Sequence, residues 1–262
     1  TLRRTAKIEL PCEIQLHPSP EWKYRNRTRL KIQTAPEFAV GYYKFRSHDL
    51  LPIEQCPISS PLINQAIAQL WAAGRGAKVP ACLREIELFT NASDSELLVE
   101  LFCDPRTPRR EAREIAERFM PILSTAKGVA VFECQSENQV SEPPVLAHFG
   151  DAELCYEIKA HNYRVSAGAF FQVNRFLIDE LVDLATSGAS GKLALDLYAG
   201  VGLFSAVLAR SFAQVIAVEA SQTSLADLRR YGSQEVKAVR ATTEKYLAQS
   251  SGLHPDLVVA DP

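Results

Sequence analysis

Two glycines and the acids around them carry the clearest chemistry in this chain. Gly200 and Gly202 follow the apolar run Leu193–Leu197, and Glu219 closes the next apolar run, Val215–Val218. Glycine after a first strand lets the backbone turn sharply and lets a cofactor approach it closely. A carboxylate at the tip of a second strand can accept both hydroxyl hydrogens of a ribose. Two nucleoside cofactors fit this order of parts. A dinucleotide asks for G-x-G-x-x-G, with free helix amides for its pyrophosphate. Here Ser205 stands at the third glycine position, and Asp196 sits beside the turn. An acid there repels a pyrophosphate and attracts a cationic amino-acid headgroup. The run Asp196-Leu-Tyr-Ala-Gly-Val-Gly202 therefore suits S-adenosyl-L-methionine better than NAD. Asp261-Pro262 follows a further apolar run, Leu257–Ala260, where an Asp-Pro pair can also simply stop a strand.

These residues need a scaffold of alternating strands and helices. The sequence predicts strands at Leu193–Leu197, Val215–Val218, Val236–Val239 and Leu257–Ala260. Between them it predicts helices from Leu203, over Ser221–Tyr231 with Ser221 as N-cap, and over Thr243–Gln249. Apolar strands alternating with amphipathic helices imply a parallel, doubly wound α/β sheet covered on both faces. Such a sheet usually carries more than four strands, so the expected domain over 159–262 is an incomplete Rossmann-like one. Within it, a helix over Asn174–Thr186 precedes the first strand.

The first 158 residues are organised differently. Tyr24–Thr34 alternates basic and apolar residues, and Phe38–Phe45 and Leu51–Ile53 can pair with it as a meander. Pro61–Ala73 has helical spacing with proline near its start. Glu85–Thr90 and Glu96–Phe102 read as a hairpin, Thr107–Ser124 as a charged helix and Gly128–Cys134 as a strand. Gln135–Pro144 reads as a loop, with short strands at Val145–Phe149 and Cys155–Ile158. Strands and helices mix without strict alternation, so 1–158 is expected to be an α+β domain. Arg25, Arg27, Arg29 and Lys31 fall on one strand face at period two, as either a solvated face or a contact for phosphates.

The chain carries a net charge of −2, so any nucleic-acid contact must be local. Its apolar runs are strand-sized and no secretory leader is visible, which leads us to expect a cytoplasmic protein with no membrane partner. The six cysteines form no C-x-x-C pair. The chain starts without Met, and we expect the natural N-terminus to lie further upstream.

Taken together, six segments resemble the RNA uracil-C5 (5-methyluridine) methyltransferases. They are Tyr24-Arg-Asn-Arg-Thr-Arg-Leu30, Gly41-Tyr-Tyr-Lys with Ser47-His48, Ile53-Glu-Gln-Cys-Pro-Ile58, Phe170-Phe-Gln-Val-Asn174, the glycine turn, and Asp256-Leu-Val-Val-Ala-Asp-Pro262. The Phe-Phe-Gln-Val-Asn stretch is the most specific. Glu54-Gln-Cys-Pro57 brings the chain closer to the ribosomal RNA enzymes than to the tRNA enzyme.

The resemblance implies S-adenosyl-L-methionine as cofactor and RNA, not DNA, as partner of a monomer. It implies that Gln172 reaches the methyl donor and the uracil, Tyr198 flanks the methionine portion, Glu219 holds the ribose, and Asp261 lies between cofactor and base. Gly200 and Gly202 shape the turn. Thr242 stands where the family often meets the adenine with Asn or Asp, and Leu203 where it often carries a polar residue. Phe170 and Phe171 either stack on a base or join the core. The family's RNA-binding central domain falls on the Arg25, Arg27, Arg29, Lys31 strand. A cysteine thiolate must add to uracil C6 before C5 can accept a methyl group, and a base must later remove the C5 proton. The resemblance places both after Pro262, so no catalytic residue is expected within the chain, which alone is expected to bind cofactor without methylating. Cys56 matches one of four 4Fe-4S ligands in iron–sulfur members, the other three lying upstream of Thr1. Cytosine-C5 or amino methylation, a non-catalytic RNA-binding module and, more distantly, a nicotinamide oxidoreductase are the competing readings.

Overall fold

The computed structural model describes Lys7 and residues 14–135, 142–230 and 233–262. Cys12, most of the expected loop over 135–144 and the last residue of the helix expected to end at Tyr231 lie outside the described residues.

Seven strands form the first sheet: β1 (Arg27–Gln33), β2 (Ala39–Tyr43), β3 (Leu50–Pro52), β4 (Leu83–Thr90), β5 (Leu97–Cys103), β6 (Ala126–Glu133) and β7 (Val145–Gly150). Their order is β3-β2-β1-β4-β5-β6-β7. Neighbours are antiparallel except β5 and β6, which run parallel around the crossover helix α2 (Arg109–Phe119). Alternation decides which face is covered. Leu30, Ile32, Ile86, Leu88, Val99, Leu101, Val129 and Val131 point to one face and share a core with helix α1 (Pro61–Arg75) and α2. Each fully buried aliphatic side chain there stabilises the fold by roughly 1.5–3 kcal/mol. Helix α1 starts where Pro61 sits in its first turn and Ser60 Oγ accepts the Ile63 amide at 3.3 Å.

Four strands form the second sheet: β10 (Gly191–Leu197), β11 (Phe212–Glu219), β12 (Val236–Arg240) and β13 (Leu257–Ala260). They are all parallel, in the order β12-β11-β10-β13. Helices α4 (Ser205–Leu208), α5 (Gln222–Arg230) and α6 (Thr243–Gln249) connect them. Ser221 Oγ accepts the Ser224 amide at 3.1 Å, the expected N-cap of α5. The order gives the expected doubly wound α/β fold. Its strands are less uniformly apolar than expected, because β12 and β13 are edges and Val258 is 50% exposed.

Three expectations change. The helix expected from Leu203 is only Ser205–Leu208, because Gly200 and Gly202 hold positive φ of 56° and 91° and residues up to Phe204 stay in turns. The helix expected from Asn174 begins at Ile178, as α3 (Ile178–Thr186). Its first residues are spent elsewhere: Asn174 bridges Arg25, and the Arg175 amide donates to Tyr24 O at 2.9 Å. The domain boundary expected at 158/159 falls inside a hairpin, β8 (Glu153–Ile158) with β9 (His161–Ser166). Sequence reading missed β9. Leu154, Tyr156, Ile158, Tyr163 and Val165 pack on Val201, Leu203 and Phe204 of the second sheet's turn region. Phe89 and Leu98 of the first sheet join the same core.

Candidate active site

Apart from Gln172, the cofactor residues expected from the sequence come to one edge of the second sheet. Tyr198, Gly200 and Gly202 follow β10, Glu219 ends β11, Thr242 follows β12 and Asp261 follows β13. From β10 the chain winds outward to β12, then returns to the other side of β10 with β13. The C-terminal ends of β10 and β13 therefore flank a topological switch point, where open α/β sheets bind ligands. A small pocket of about 50 Å³ opens there, lined among others by Phe170, Gln172, Tyr198, Gly200, Phe204 and Asp261.

Backbone amides fix the Glu219 carboxylate. Its Oε2 accepts the Gly200 amide at 2.7 Å and its Oε1 the Ser221 amide at 2.6 Å. Each oxygen keeps lone-pair capacity for a hydroxyl. The Gly200 turn is thus tied to the acid that would hold a ribose. A Cβ on Gly200 would meet nothing within 4 Å, so the glycine leaves its space to the crevice. Tyr198 holds φ at 59°, a costly conformation for a bulky residue. Its ring stands at the crevice mouth, with its hydroxyl 3.5 Å from Glu244 Oε1.

Asp196 is fully buried. Ser205 Oγ donates to its Oδ2 at 2.5 Å, while Oδ1 has no partner. Burial pushes its carboxyl up to about 7, against the pull of Ser205. A buried acceptor without a donor is costly, and a cationic ammonium would satisfy this one. The donor set therefore fits the S-adenosyl-L-methionine expected from the sequence: a carboxylate for the ribose, a buried acid for the amine, and an open glycine turn between them. Thr242 is less free than expected, because its Oγ1 caps α6 by accepting the Lys245 amide at 3.4 Å. Its hydroxyl also hydrogen-bonds the Glu244 carboxylate.

On the facing wall, Gln172 Nε2 donates to Asp261 Oδ2 at 2.5 Å. The two aromatic neighbours of Gln172 separate cleanly. Phe171 is core, packed on Phe89, Tyr156 and Tyr163. Phe170 is 63% exposed at the pocket.

Gln172 is held from the first sheet, a role the sequence reading did not find. Asn26, just before β1, is fully buried and donates from Nδ2 to Gln172 O at 3.0 Å and to the Tyr156 hydroxyl at 3.0 Å. Its amide donates to Val173 O at 3.0 Å. Arg27 donates to Ala169 O, and Glu100 Oε1 accepts the Gly168 amide at 3.0 Å. Arg27 also pairs with Glu100 at 2.9 Å. Burial pushes the Glu100 carboxyl up, and Arg27 pulls it back. Only long-range pairing reveals this clamp. The signal present in the sequence was a polar Asn between two arginines at a strand start.

The basic strand is corrected by the same geometry. Arg27, Arg29 and Lys31 do share a face, but Glu85 and Glu87 of β4 and Glu100 of β5 line up beside them. Arg27 pairs with Glu87 and Glu100, and Arg29 and Lys31 both pair with Glu85. Three cations meet three acids, and Arg27 is buried. The face is a neutral lattice rather than a cationic stripe. Arg25 lies outside β1, bridged to Ser59 and Asn174.

Cys56 is buried in the turn before α1. Burial opposes its thiolate, but hydrogen bonds from Ser59, Tyr42 and the turn amides outweigh that and lower its pKa. Among the described residues no group of three or more His, Cys, Asp or Glu could hold a metal ion. A 4Fe-4S cluster takes four thiolates, and this turn supplies one, so the described residues do not fit that group.

A parallel sheet in this order, with the glycine turn and strand-tip acid at its switch point, defines a Rossmann-like methyltransferase fold. Residues 5–249 match the model of the tRNA (uracil-5-)-methyltransferase family, and the chain belongs to that family. An uncharacterized RNA methyltransferase of Aquifex aeolicus is 26% identical over 269 residues, covering 100% of this chain and 60% of its own. Another from Thermosynechococcus vestitus is 29% identical over 264 residues, covering 94% of this chain and 57% of its own. Among solved structures, the Pyrococcus abyssi tRNA (uracil-54, C5)-methyltransferase, in complex with S-adenosyl-L-homocysteine, superposes with a TM-score of 0.78 at 20% identity. It covers 100% of this chain and 64% of that one. The chain spans about three fifths of the length of the relatives it matches.

Proposed function

We propose that this chain is the RNA-docking and cofactor-binding part of an S-adenosyl-L-methionine-dependent enzyme that methylates uridine C5 in RNA. The observation that carries this reading is one crevice that brings the Gly200 turn, hydrogen-bonded to Glu219, together with the Gln172–Asp261 pair. The cofactor supplies an electrophilic methyl group. Glu219 accepts the ribose hydroxyls, Asp196 faces the amine, Tyr198 covers the methionine portion, and Thr242 lies on the adenine side. Gln172 and Asp261 meet the uracil, with Gln172 offering an amide donor to a carbonyl oxygen. Uridine must leave its stack to arrive there, and the exposed Phe170 ring offers it a face.

C5 of uracil is a weak nucleophile, so a thiolate adds to C6 first and a base removes the C5 proton afterwards. We assign neither group to this chain. Cys56 and Cys103 belong to the helix-covered core of the first sheet, and Cys82, Cys134 and Cys155 lie outside the crevice lining. Family membership and the Glu54-Gln-Cys-Pro57 motif support RNA as substrate, and the motif favours ribosomal over transfer RNA.

Two measurements test the reading. Calorimetric titration of the chain with S-adenosylhomocysteine and with NAD should show binding of the first only; binding of NAD alone sinks it. Mass spectrometry of ribosomal and transfer RNA from cells lacking the gene should show loss of one 5-methyluridine. Loss of 5-methylcytidine instead would favour the cytosine reading.

A further inference from the structure

The run Gly41–His48 in the sequence finds no use at the crevice, and its geometry is unusual. It forms β2 and the loop to β3. Gly41 has a packing reason, since a Cβ there would lie 1.9 Å from Leu51 O. The loop itself is well fastened. The Lys44 amide donates to Asp49 O at 3.0 Å, the Ser47 amide to Lys44 O at 3.1 Å, and the Asp49 amide to Ser47 Oγ at 2.9 Å. Arg46 takes φ of 55°. Yet this ordered loop holds Phe45 88% exposed, where burial would have been favourable. The Arg46 guanidinium lies 5.1 Å from the Phe45 ring. Tyr43 is half-exposed, edge-on to His48 at 5.4 Å, with Lys31 Nζ 5.0 Å from its ring. An open groove runs beside them, lined by Lys31, Gln33, Tyr43, His48 and Arg84.

We propose that the β2–β3 loop is a stacking platform for a single-stranded stretch of the RNA substrate, with Phe45 against a base and Lys44 and Arg46 against phosphates. Flat rings interleaved with cations are the chemistry that holds single strands. Beside Leu50 and Leu51, the residues around these rings are polar or charged, namely Lys44, Arg46, Ser47, His48 and Asp49. Strand β2 runs antiparallel to β1, with Lys31 opposite Gly41, and the loop that follows brings Tyr43 and His48 into one groove with Lys31 and Gln33 of β1. The loop also supplies the cations that the neutral lattice of β1 does not. This inference rests on RNA being the substrate.

The test is fluorescence anisotropy of the full chain with a labelled single-stranded RNA oligonucleotide across a salt series. Phe45→Ala should weaken binding about tenfold, as loss of one base–aromatic stack does. Arg46→Glu should weaken it comparably and flatten the dependence of log affinity on log salt. Arg113→Glu, the same charge change on the outer face of α2, should leave affinity within about twofold. None of the three should alter S-adenosylhomocysteine binding. If wild type binds and Phe45→Ala and Arg46→Glu bind equally well, the platform is refuted and the proposed function stands. If wild type binds no RNA at low salt, both fall. If the two variants change self-association and leave RNA affinity intact, the loop is a protein contact and the platform is refuted.

Discussion

Asp196 shows how one buried group can tie stability to pH. Its carboxyl is raised to about 7 by burial, from an ordinary value of 3.8. Between those values the folded chain holds a proton that the unfolded chain has lost. Its contribution is complete below the ordinary aspartate range and is lost as pH rises from there through about 7, on the order of 4 kcal/mol in all. Asp196→Asn should abolish that slope. Urea unfolding at pH 5 and pH 8 should show native stability falling between them more than that of the variant. An arriving ammonium beside Oδ1 would draw the proton out. Binding of S-adenosylhomocysteine at pH 6 should then release a proton, read from the buffer dependence of the calorimetric heat, and the variant should release none. At Tyr198 the expectation is a separation of two effects. Tyr198→Gly relieves left-handed strain while loosening the unfolded chain, so stability should change by less than about 1 kcal/mol. Cofactor-product affinity should fall about tenfold with the ring gone. A parallel loss of melting temperature would make Tyr198 a packing residue only.

At the scale of elements, the segment Gly168–Asn174 is positioned by strands far from it in sequence. Asn26→Ala removes donors to Gln172 O and the Tyr156 hydroxyl, a loss of about 1–3 kcal/mol. Hydrogen exchange of the amides over 168–173 should accelerate well beyond that of β10 and β11. Uniform acceleration across the chain would deny the clamp its local role. Strand and helix positions were readable where local pattern decides them, as at the meander over β1–β3, helix α1 and the four parallel strands. The strand β9 was missed because His161-Asn-Tyr-Arg-Val-Ser166 offers little apolar content of its own and pairs through a hairpin with β8. The fate of Arg27, Arg29 and Lys31 was unreadable for a related reason. Period two shows which residues share a face, but the acids that neutralise them come from β4 and β5. The cofactor edge was legible because its residues follow successive strands, where chain order and spatial order coincide. Its acceptor side was not, since Asn26 and Gln172 meet across 146 residues.

For the whole molecule, the decisive fact is that the core containing Tyr156, Tyr163 and Phe171 also takes in Phe89 of the first sheet and Val215 of the second. The two sheets should therefore unfold in one cooperative step, with fluorescence and circular dichroism transitions coinciding. The hairpin β8–β9 makes the division of the chain testable. A fragment starting at Lys159 strands β9 without its partner and bares Tyr163 and Val165. A fragment starting at Glu153 keeps them covered. The second should express in soluble form at a higher yield than the first; equal yields would return the boundary to 158/159.

Gln172 is fastened at its backbone to one sheet and hydrogen-bonded at its side chain to Asp261 of the other. A residue tethered at both ends in this way works like the pointer of a balance. Under the proposed function, a tilt between the sheets, such as an RNA pulling on the β1 side alone would cause, shifts the amide relative to Asp261. Grip on that substrate and alignment for chemistry then become one mechanical event, so an RNA held in the wrong place should lose rate before it loses affinity.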